Sequence, residues 1–386
     1  MMRFGLYTYP WNVHDVDADV EHVRALGAGA IALATSYHAG KFLQPGDPKS
    51  RVYFPEDGTV YFTPDAARYE LLKPQRAAQA HDRIGRLAAH DDIAVDAWTV
   101  LNHNSRLGFA HPEVVARNCF GDPYYYSLCP AHPEVRAYGI ALCTDIAAQY
   151  LVERLLIETP GWLTYAHGYH HEFAQMPPNA WLDAMLGLCF CDSCRTGLGV
   201  AGIDADAIAR DVAVAIDACL ADTELWDDAR QTAALTEWRE RLAPYHAWRA
   251  HIVTRFVADI RAAVRQSVTV KIISTTQRPH ATTYLEGHDL AALHDAADGL
   301  ELPLYQPSTA AVADDLAYVL EQSGGPDRIS AILRPGYPDM VSEDQLNDTL
   351  DRVRAAGITD ISFYNFAMLR PANLGWLTRS LARLGV

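Results

Sequence analysis

The stretch VERLLIE at residues 152–158 is a short apolar run that ends on a carboxylate, Glu158. Short apolar runs between turn signals are typical of buried strands. Seven further runs of this kind occur at residues 3–9, 30–36, 93–101, 268–275, 299–305, 328–334 and 359–366. Helical patterns separate them, and strands that alternate with helices form parallel sheets. The eight runs therefore predict a (β/α)8 barrel.

The chain length of 386 residues fits one such barrel with insertions, so we expect a single domain over residues 1–386. Two connections, residues 37–73 and 159–267, are much longer than the few residues typical of such loops. Each follows the carboxyl end of a predicted strand, which is the face of a barrel that carries active sites. Residues 204–221 and 232–266 have helical patterns, so we interpret 159–267 as an extended loop and helical insertion.

The composition excludes several classes of protein. The formal net charge is −16, from 48 acidic and 32 basic residues, which argues against nucleic acid as the main partner. Hydrophobic residues make up 49% of the chain, enough for a large core, and no apolar run is long enough to predict a membrane span. The first residues enter a predicted strand without a signal-peptide pattern, so we expect a cytoplasmic protein.

Three cysteines crowd into the stretch LCFCDSCR, at Cys189, Cys191 and Cys194. Closely spaced thiolates suit a tetrahedral metal ion, and zinc favours sulfur ligands. Cys119 and Cys129 are available as the fourth ligand, and Cys129 lies in a turn that opens the helix before the fourth predicted strand. The alternative interpretation is a set of reduced, partly buried thiols without a metal.

The order of these features resembles the family-42 β-galactosidases over residues 126–195. In that family a Cys-Pro turn, a glutamate that ends strand four and a Cys-x-Cys-x2-Cys run follow one another. The matching positions here are Cys129, Glu158, Cys189, Cys191 and Cys194. The resemblance implies a (β/α)8 barrel, a structural zinc ion held by the four cysteines, Glu158 as the general acid of glycoside hydrolysis, a small carbohydrate substrate and a homo-oligomer.

Two positions depart from the family pattern. Ile157 precedes Glu158, where the family has asparagine, and the seventh run, around Arg334, lacks the carboxylate that serves as nucleophile. Glycoside hydrolysis usually needs two carboxylates, an acid and a nucleophile or base. We therefore expect Glu172, in the loop that follows Glu158, to supply the second.

Aromatic, imidazole and amide side chains cluster in that loop and at the other predicted strand ends. Such groups stack on sugar rings and bind hydroxyls. The predicted substrate-binding residues are Tyr9, Trp11, His103, Trp162, His167, His170, His171, Lys271, Arg334, Tyr364 and Asn365. Lys271 lies within an apolar strand and needs a charge partner inside the barrel. Asp96 and Glu301 are reserve carboxylates, or layer residues that pair with Lys271 or Arg334.

Two other functions fit the same residues. A metal-dependent sugar isomerase or epimerase would use His167, His170 or His171 with Glu158 or Glu172 to bind a divalent cation. A barrel that binds carbohydrate without catalysis would explain the missing carboxylate of strand seven.

Overall fold

Eight parallel strands close into a barrel in the computed structural model, which describes residues 2–78, 82–167 and 174–385. Each strand pairs with the next in chain order, and the last pairs with the first through Arg3 opposite Asp360. The strands are β1 (Arg3–Thr8), β2 (Ala30–Tyr37), β3 (Ala94–Val100), β4 (Arg154–Glu158), β5 (Thr269–Ile273), β6 (Leu300–Pro303), β7 (Ile329–Leu333) and β8 (Asp360–Phe363). The predicted (β/α)8 fold is confirmed.

Helices surround the barrel and fill the insertion after β4. In the described part of the chain they are α1 (Val16–Ala25), α2 (Arg83–Ala88), α3 (Ser105–Ala110), α4 (Pro133–Gln149), α5 (Ala180–Leu186), α6 (Asp192–Val200), α7 (Ala205–Ala221), α8 (Asp228–Arg241), α9 (Ala243–Ala263), α10 (Leu290–Ala296), α11 (Thr309–Ser323), α12 (Glu343–Ala355) and α13 (Pro371–Arg383). Many begin at a side-chain cap; the carboxylate of Asp204, for example, accepts a hydrogen bond from the backbone amide of Ala207.

The insertion between β4 and β5 holds α5 to α9. The predicted helix over residues 232–266 is divided into α8 and α9 at Leu242, because Pro244 has no amide hydrogen to donate to the preceding turn and so starts a new helix. Helix α9 packs between α4 and α10, so it takes the place of the outer helix that a barrel needs between its fourth and fifth strands.

Short strands line the loops on the carboxyl face. Phe42–Leu43 pairs with Val52–Tyr53, and Thr59–Val60 pairs with both β2 and Gln75–Arg76. After β3, Val115–Arg117 pairs with Pro123–Leu128. These ribbons brace the loops from which the site is built.

Charged side chains fill the amino-terminal half of the barrel interior, and we call Arg3, Asp96, Arg154, Lys271, Glu301 and Asp360 the floor cluster. Arg3 donates two hydrogen bonds to Asp96, at 3.0 and 2.8 Å, and Arg154 contacts Asp360. The Nζ of Lys271 lies 3.5 Å from Asp360, so Asp360 is the charge partner that we expected for a lysine within an apolar strand. Asp96 and Glu301 are thus layer residues, although Asp96 pairs with Arg3 and not with Lys271 or Arg334.

Among the described residues, no helix combines the length and the apolar composition that crossing a bilayer requires.

Candidate active site

A cavity of about 230 Å³ opens at the carboxyl ends of the barrel strands. Active sites of barrel enzymes lie on this face, because loops from every strand meet there. Its lining combines aromatic and polar side chains, and consists of Tyr7, Tyr37, His38, Trp98, Glu158, His167, Ile273, Thr275, Thr276, Gln277, Arg278, Pro303, Tyr305, Ile332, Arg334 and Tyr364.

Glu158 is the last residue of β4 and is partly exposed in the cavity. The indole Nε1 of Trp98, on the adjacent β3, donates a 2.5 Å hydrogen bond to its Oε2. Burial raises the pKa of Glu158 to about 7; the Trp98 bond opposes the rise, and the nearby charge of Glu286 adds to it. Near neutral pH the carboxyl group therefore holds a proton that it can give up, as a general acid must.

The structure adds Glu286, which sequence reasoning missed. This residue ends the short helical segment His280–Glu286 after β5 and is almost fully buried. Its Oε1 accepts hydrogen bonds from the hydroxyl of Thr275 at 2.7 Å and from the amide and hydroxyl of Thr276 at 3.1 and 3.2 Å. Glu286 lies thirteen residues beyond the last residue of β5, which is too far along the chain for the sequence to predict its contacts with Thr275 and Thr276.

Three tyrosines form a hydrogen-bonded group beside the cavity. The hydroxyl of Tyr9 lies 3.0 Å from that of Tyr37 and 2.5 Å from that of Tyr364. Burial raises the pKa of all three, so they stay neutral hydrogen-bonding groups. Trp11 stacks on Tyr9 with ring centroids 4.3 Å apart. Tyr37 and Tyr364 line the cavity, whereas the predicted binding residues Tyr9 and Trp11 support them from behind.

Three imidazoles converge at the cavity rim. The rings of His38 and His103 stack with centroids 3.9 Å apart, and His103 meets His167 edge-on at 5.4 Å. His38 and His167 line the cavity, while His103 is buried next to them. The structure thus brings the predicted His103 and His167 together.

Two arginines also line the cavity. Arg334, at the end of β7, donates to both oxygens of Asp339, at 2.5 and 2.7 Å, and lies 4.3 Å from the ring centroid of Tyr305. Arg278 lies 5.4 Å from the same centroid. The predicted Arg334 is therefore at the site, and the sequence did not single out Arg278.

Besides Tyr9, Trp11 and His103, three more predicted binding residues do not line the cavity. Trp162 is buried in the core, where the guanidinium of Arg249 lies 4.5 Å from its ring. Lys271 belongs to the floor cluster, because its side chain points into the barrel from the middle of β5. Asn365 is buried, and its side-chain oxygen accepts from the amide of Ala367.

His170, His171 and Glu172 lie outside the described residues, so their predicted roles stay predictions. The isomerase alternative draws on these three residues as well as on His167 and Glu158, and it also stays a prediction.

A cluster of thiols joins the insertion after β4, which holds Cys189, Cys191 and Cys194, to Cys129 in the turn before α4. The Sγ atom of Cys129 is 3.5 Å from those of Cys191 and Cys194 and 4.0 Å from that of Cys189. The four Sγ atoms all lie within 4.8 Å of one another and are buried. Zinc–sulfur bonds of about 2.3 Å in a tetrahedron place sulfurs about 3.8 Å apart, so the cluster has the dimensions of a zinc–thiolate site.

Backbone contacts hold the cysteine loop in place. The hydroxyl of Tyr245, on α9, accepts from the amide of Cys189 at 2.8 Å and donates to its carbonyl at 3.0 Å. The amide of Arg117 approaches the Sγ of Cys189 at 3.4 Å. Cys119 lies apart from the cluster and is half-buried.

No protein-family model matches the sequence, and no curated protein matches it. Solved structures do match. The glycoside hydrolase domain of PgaB (BpsB) from Bordetella bronchiseptica is 14% identical, with a TM-score of 0.60 over 98% of both chains. A chitinase from Chromobacterium violaceum is 10% identical, with a TM-score of 0.48 over 99% of both chains. At 14% identity the similarity to the PgaB domain shows the (β/α)8 fold alone, and none of these matches is specific to the family-42 β-galactosidases.

Proposed function

We propose that the protein is a glycoside hydrolase of a small carbohydrate, with Glu158 as the general acid. The observation that carries this proposal is a single carboxyl group at the end of β4, in an aromatic cavity, with a pKa raised to about 7. The PgaB domain, to which the chain is similar in fold, supports the reaction class.

In the proposed reaction the proton of Glu158 moves to the glycosidic oxygen as the bond from that oxygen to the anomeric carbon breaks. Trp98 orients the carboxyl group through its indole hydrogen bond. Tyr305 and Tyr364 offer ring faces and hydroxyls to the sugar. Glu172 is our candidate for the carboxylate that attacks the anomeric carbon or activates water.

Leaving-group chemistry gives the sharpest test of Glu158. The Glu158→Gln variant should lose about 10³-fold in kcat/KM on alkyl glycosides, because a poor leaving group needs protonation. Its loss in kcat/KM should be far smaller on dinitrophenyl glycosides, because dinitrophenolate leaves as an anion and needs no proton. Glu237→Gln changes an exposed glutamate of α8 and is the matched control, with unchanged rates expected.

Equal losses by Glu158→Gln on both kinds of substrate would contradict an acid role for Glu158. Sugar binding without any turnover by the unaltered protein would instead favour the alternative of a catalytically inactive, carbohydrate-binding barrel.

We also infer that Cys129, Cys189, Cys191 and Cys194 bind a structural zinc ion. The sulfur spacing and the complete burial of the donors support this inference. The ion would tie the loop before α6 to the turn that precedes α4, and so would hold the insertion beside the cavity.

Metal analysis tests the zinc site. About one zinc per chain is expected in the purified protein, and Cys191→Ser should lose the metal and several degrees of thermal stability. Cys119→Ser, a thiol outside the cluster, should keep both. Full zinc content in Cys191→Ser would contradict the assignment.

A further inference from the structure

Among the described residues, the cavity wall formed by the ends of β5, β6 and β7 has two arginines and one carboxylate paired with them. Arg278 and Arg334 both line it, and both flank the ring of Tyr305. Their shared carboxylate is Asp339, which is 2% exposed and is bound at both oxygens by Arg334. Arg278 reaches Asp339 only at 3.7 Å. One buried carboxylate thus serves two guanidinium groups.

Arg278 is the guanidinium group with unused hydrogen-bonding capacity. Within the described ranges it makes an ion pair at 3.7 Å and no hydrogen bond, and 40% of its side chain is exposed. Burial lowers the pKa of Arg278, and the nearby charge of Arg334 lowers it further. Bringing a negative charge to Arg278 would relieve this repulsion and satisfy its N–H donors.

The other acidic groups near this wall are already engaged. Glu286 receives its hydrogen bonds from Thr275 and Thr276 and forms no ion pair with either arginine. Glu158 accepts a hydrogen bond from Trp98 and forms no ion pair with either arginine among the described residues. Neither carboxylate therefore neutralises Arg278.

We propose that the sugar bound in this cavity carries an acidic substituent, a uronic acid carboxylate or a sulfate ester, and that Arg278 binds it. The proposal rests on the proposed function and names the class of its substrate. The planar guanidinium group matches two acceptor oxygens of such an anion, while the aromatic wall takes the ring face. The formal charge of −16 does not oppose this contact, because charges beyond about 8 Å are screened at physiological salt.

Matched substrates that differ only at carbon 6 test the proposal. Both anomers of aryl glucosides and galactosides are compared with the corresponding aryl glucuronides and galacturonides, and the 6-sulfated glycosides are included to separate the two anions. We expect one acidic series to exceed its neutral counterpart in kcat/KM by about tenfold or more, since bonds to charged groups are stronger.

The Arg278→Gln variant should reduce that preference by about tenfold, mainly through a higher KM for the acidic substrate. Arg210→Gln removes an exposed arginine of α7 that has no ion pair among the described residues, and it should leave the preference unchanged. Hydrolysis of neutral and acidic substrates at equal kcat/KM would overturn the proposal and leave the proposed function standing.

Binding separates this inference from catalysis. The affinities of the same aryl glycosides are measured by calorimetry on Glu158→Gln, with and without Arg278→Gln. Tighter binding of the acidic glycoside that is lost in the Arg278→Gln variant would support the anion site. This result would hold even if the protein hydrolysed no glycoside, and only the proposed function would then fail. Equal affinity for both members would overturn the inference.

Discussion

The barrel interior holds buried carboxylates at two heights, and their surroundings differ. In the floor cluster, Asp96 and Asp360 lie against Arg3, Arg154 and Lys271. Burial acts to raise the pKa of Asp360, but the charges of Lys271, Arg154 and Arg3 outweigh it and lower that pKa.

In the cavity above, Glu158 has an indole as its hydrogen-bond partner and no ion pair among the described residues. Burial acts to raise the pKa of both groups, but the cations around Asp360 lower its pKa, whereas Glu158, which has none beside it among the described residues, keeps a raised pKa. Asp96 lies between these two cases, because burial raises its pKa although Arg3 opposes the rise. The number of cations near each group, and not burial alone, distinguishes Asp360 from Glu158.

Breaking the floor cluster should have the largest effect on stability. Arg3→Met leaves Asp96, which is 1% exposed, without its two hydrogen bonds from Arg3, and should lower the free energy of unfolding by about 3 kcal/mol. Urea denaturation measures the loss. Arg383→Met, which breaks an exposed pair with Asp351, should cost about 0.5 kcal/mol. Similar values for the two variants would mean that the floor pairing is not structural.

Replacing Glu158, the carboxyl group in the cavity, should raise the stability of the protein instead of lowering it. The pKa of Glu158 is about 7 in the folded protein and 4.5 ordinarily. Its contribution to the free energy of unfolding is therefore fully present below about pH 4.5 and is lost as the pH rises through 7. Glu158→Gln should therefore gain about 2 kcal/mol on wild type between about pH 4.5 and pH 8, after allowance for its partial exposure. Urea denaturation at both pH values measures this gain, and Glu237→Gln should show none. A pH-independent difference would show that Glu158 stays ionised.

The smallest expected effect concerns Glu286, the buried carboxylate whose charge acts on Glu158. Glu286→Gln removes the negative charge that helps to raise the pKa of Glu158, so the alkaline limb of the rate profile should move to lower pH by about half a unit. The profile of kcat/KM against pH on an alkyl glycoside measures the shift. A limb that stays in place or moves to higher pH would show that Glu286 does not act on Glu158.

Much of the fold could be predicted because its signals are local. Apolar runs located all eight barrel strands, and the charge partner expected for Lys271 was found in Asp360. The helix over 232–266 was predicted too long, since the pattern of apolar residues continues across Pro244 while the backbone hydrogen bonds do not. The site was harder to predict, because a strand-end position does not say whether a side chain faces the cavity: Arg334 does, and Asn365 turns to its own backbone.

The sequence by itself determined the barrel, the crowding of three cysteines and the carboxylate at the end of β4, since each of these depends on spacing along a single stretch of chain. Only the tertiary structure decided that Trp98 binds Glu158, that Glu286 lies near it and that Arg278 shares Asp339 with Arg334. These contacts join residues on different strands and loops. Proton affinity and charge balance depend on what surrounds a group in space, so they arise only when the barrel closes.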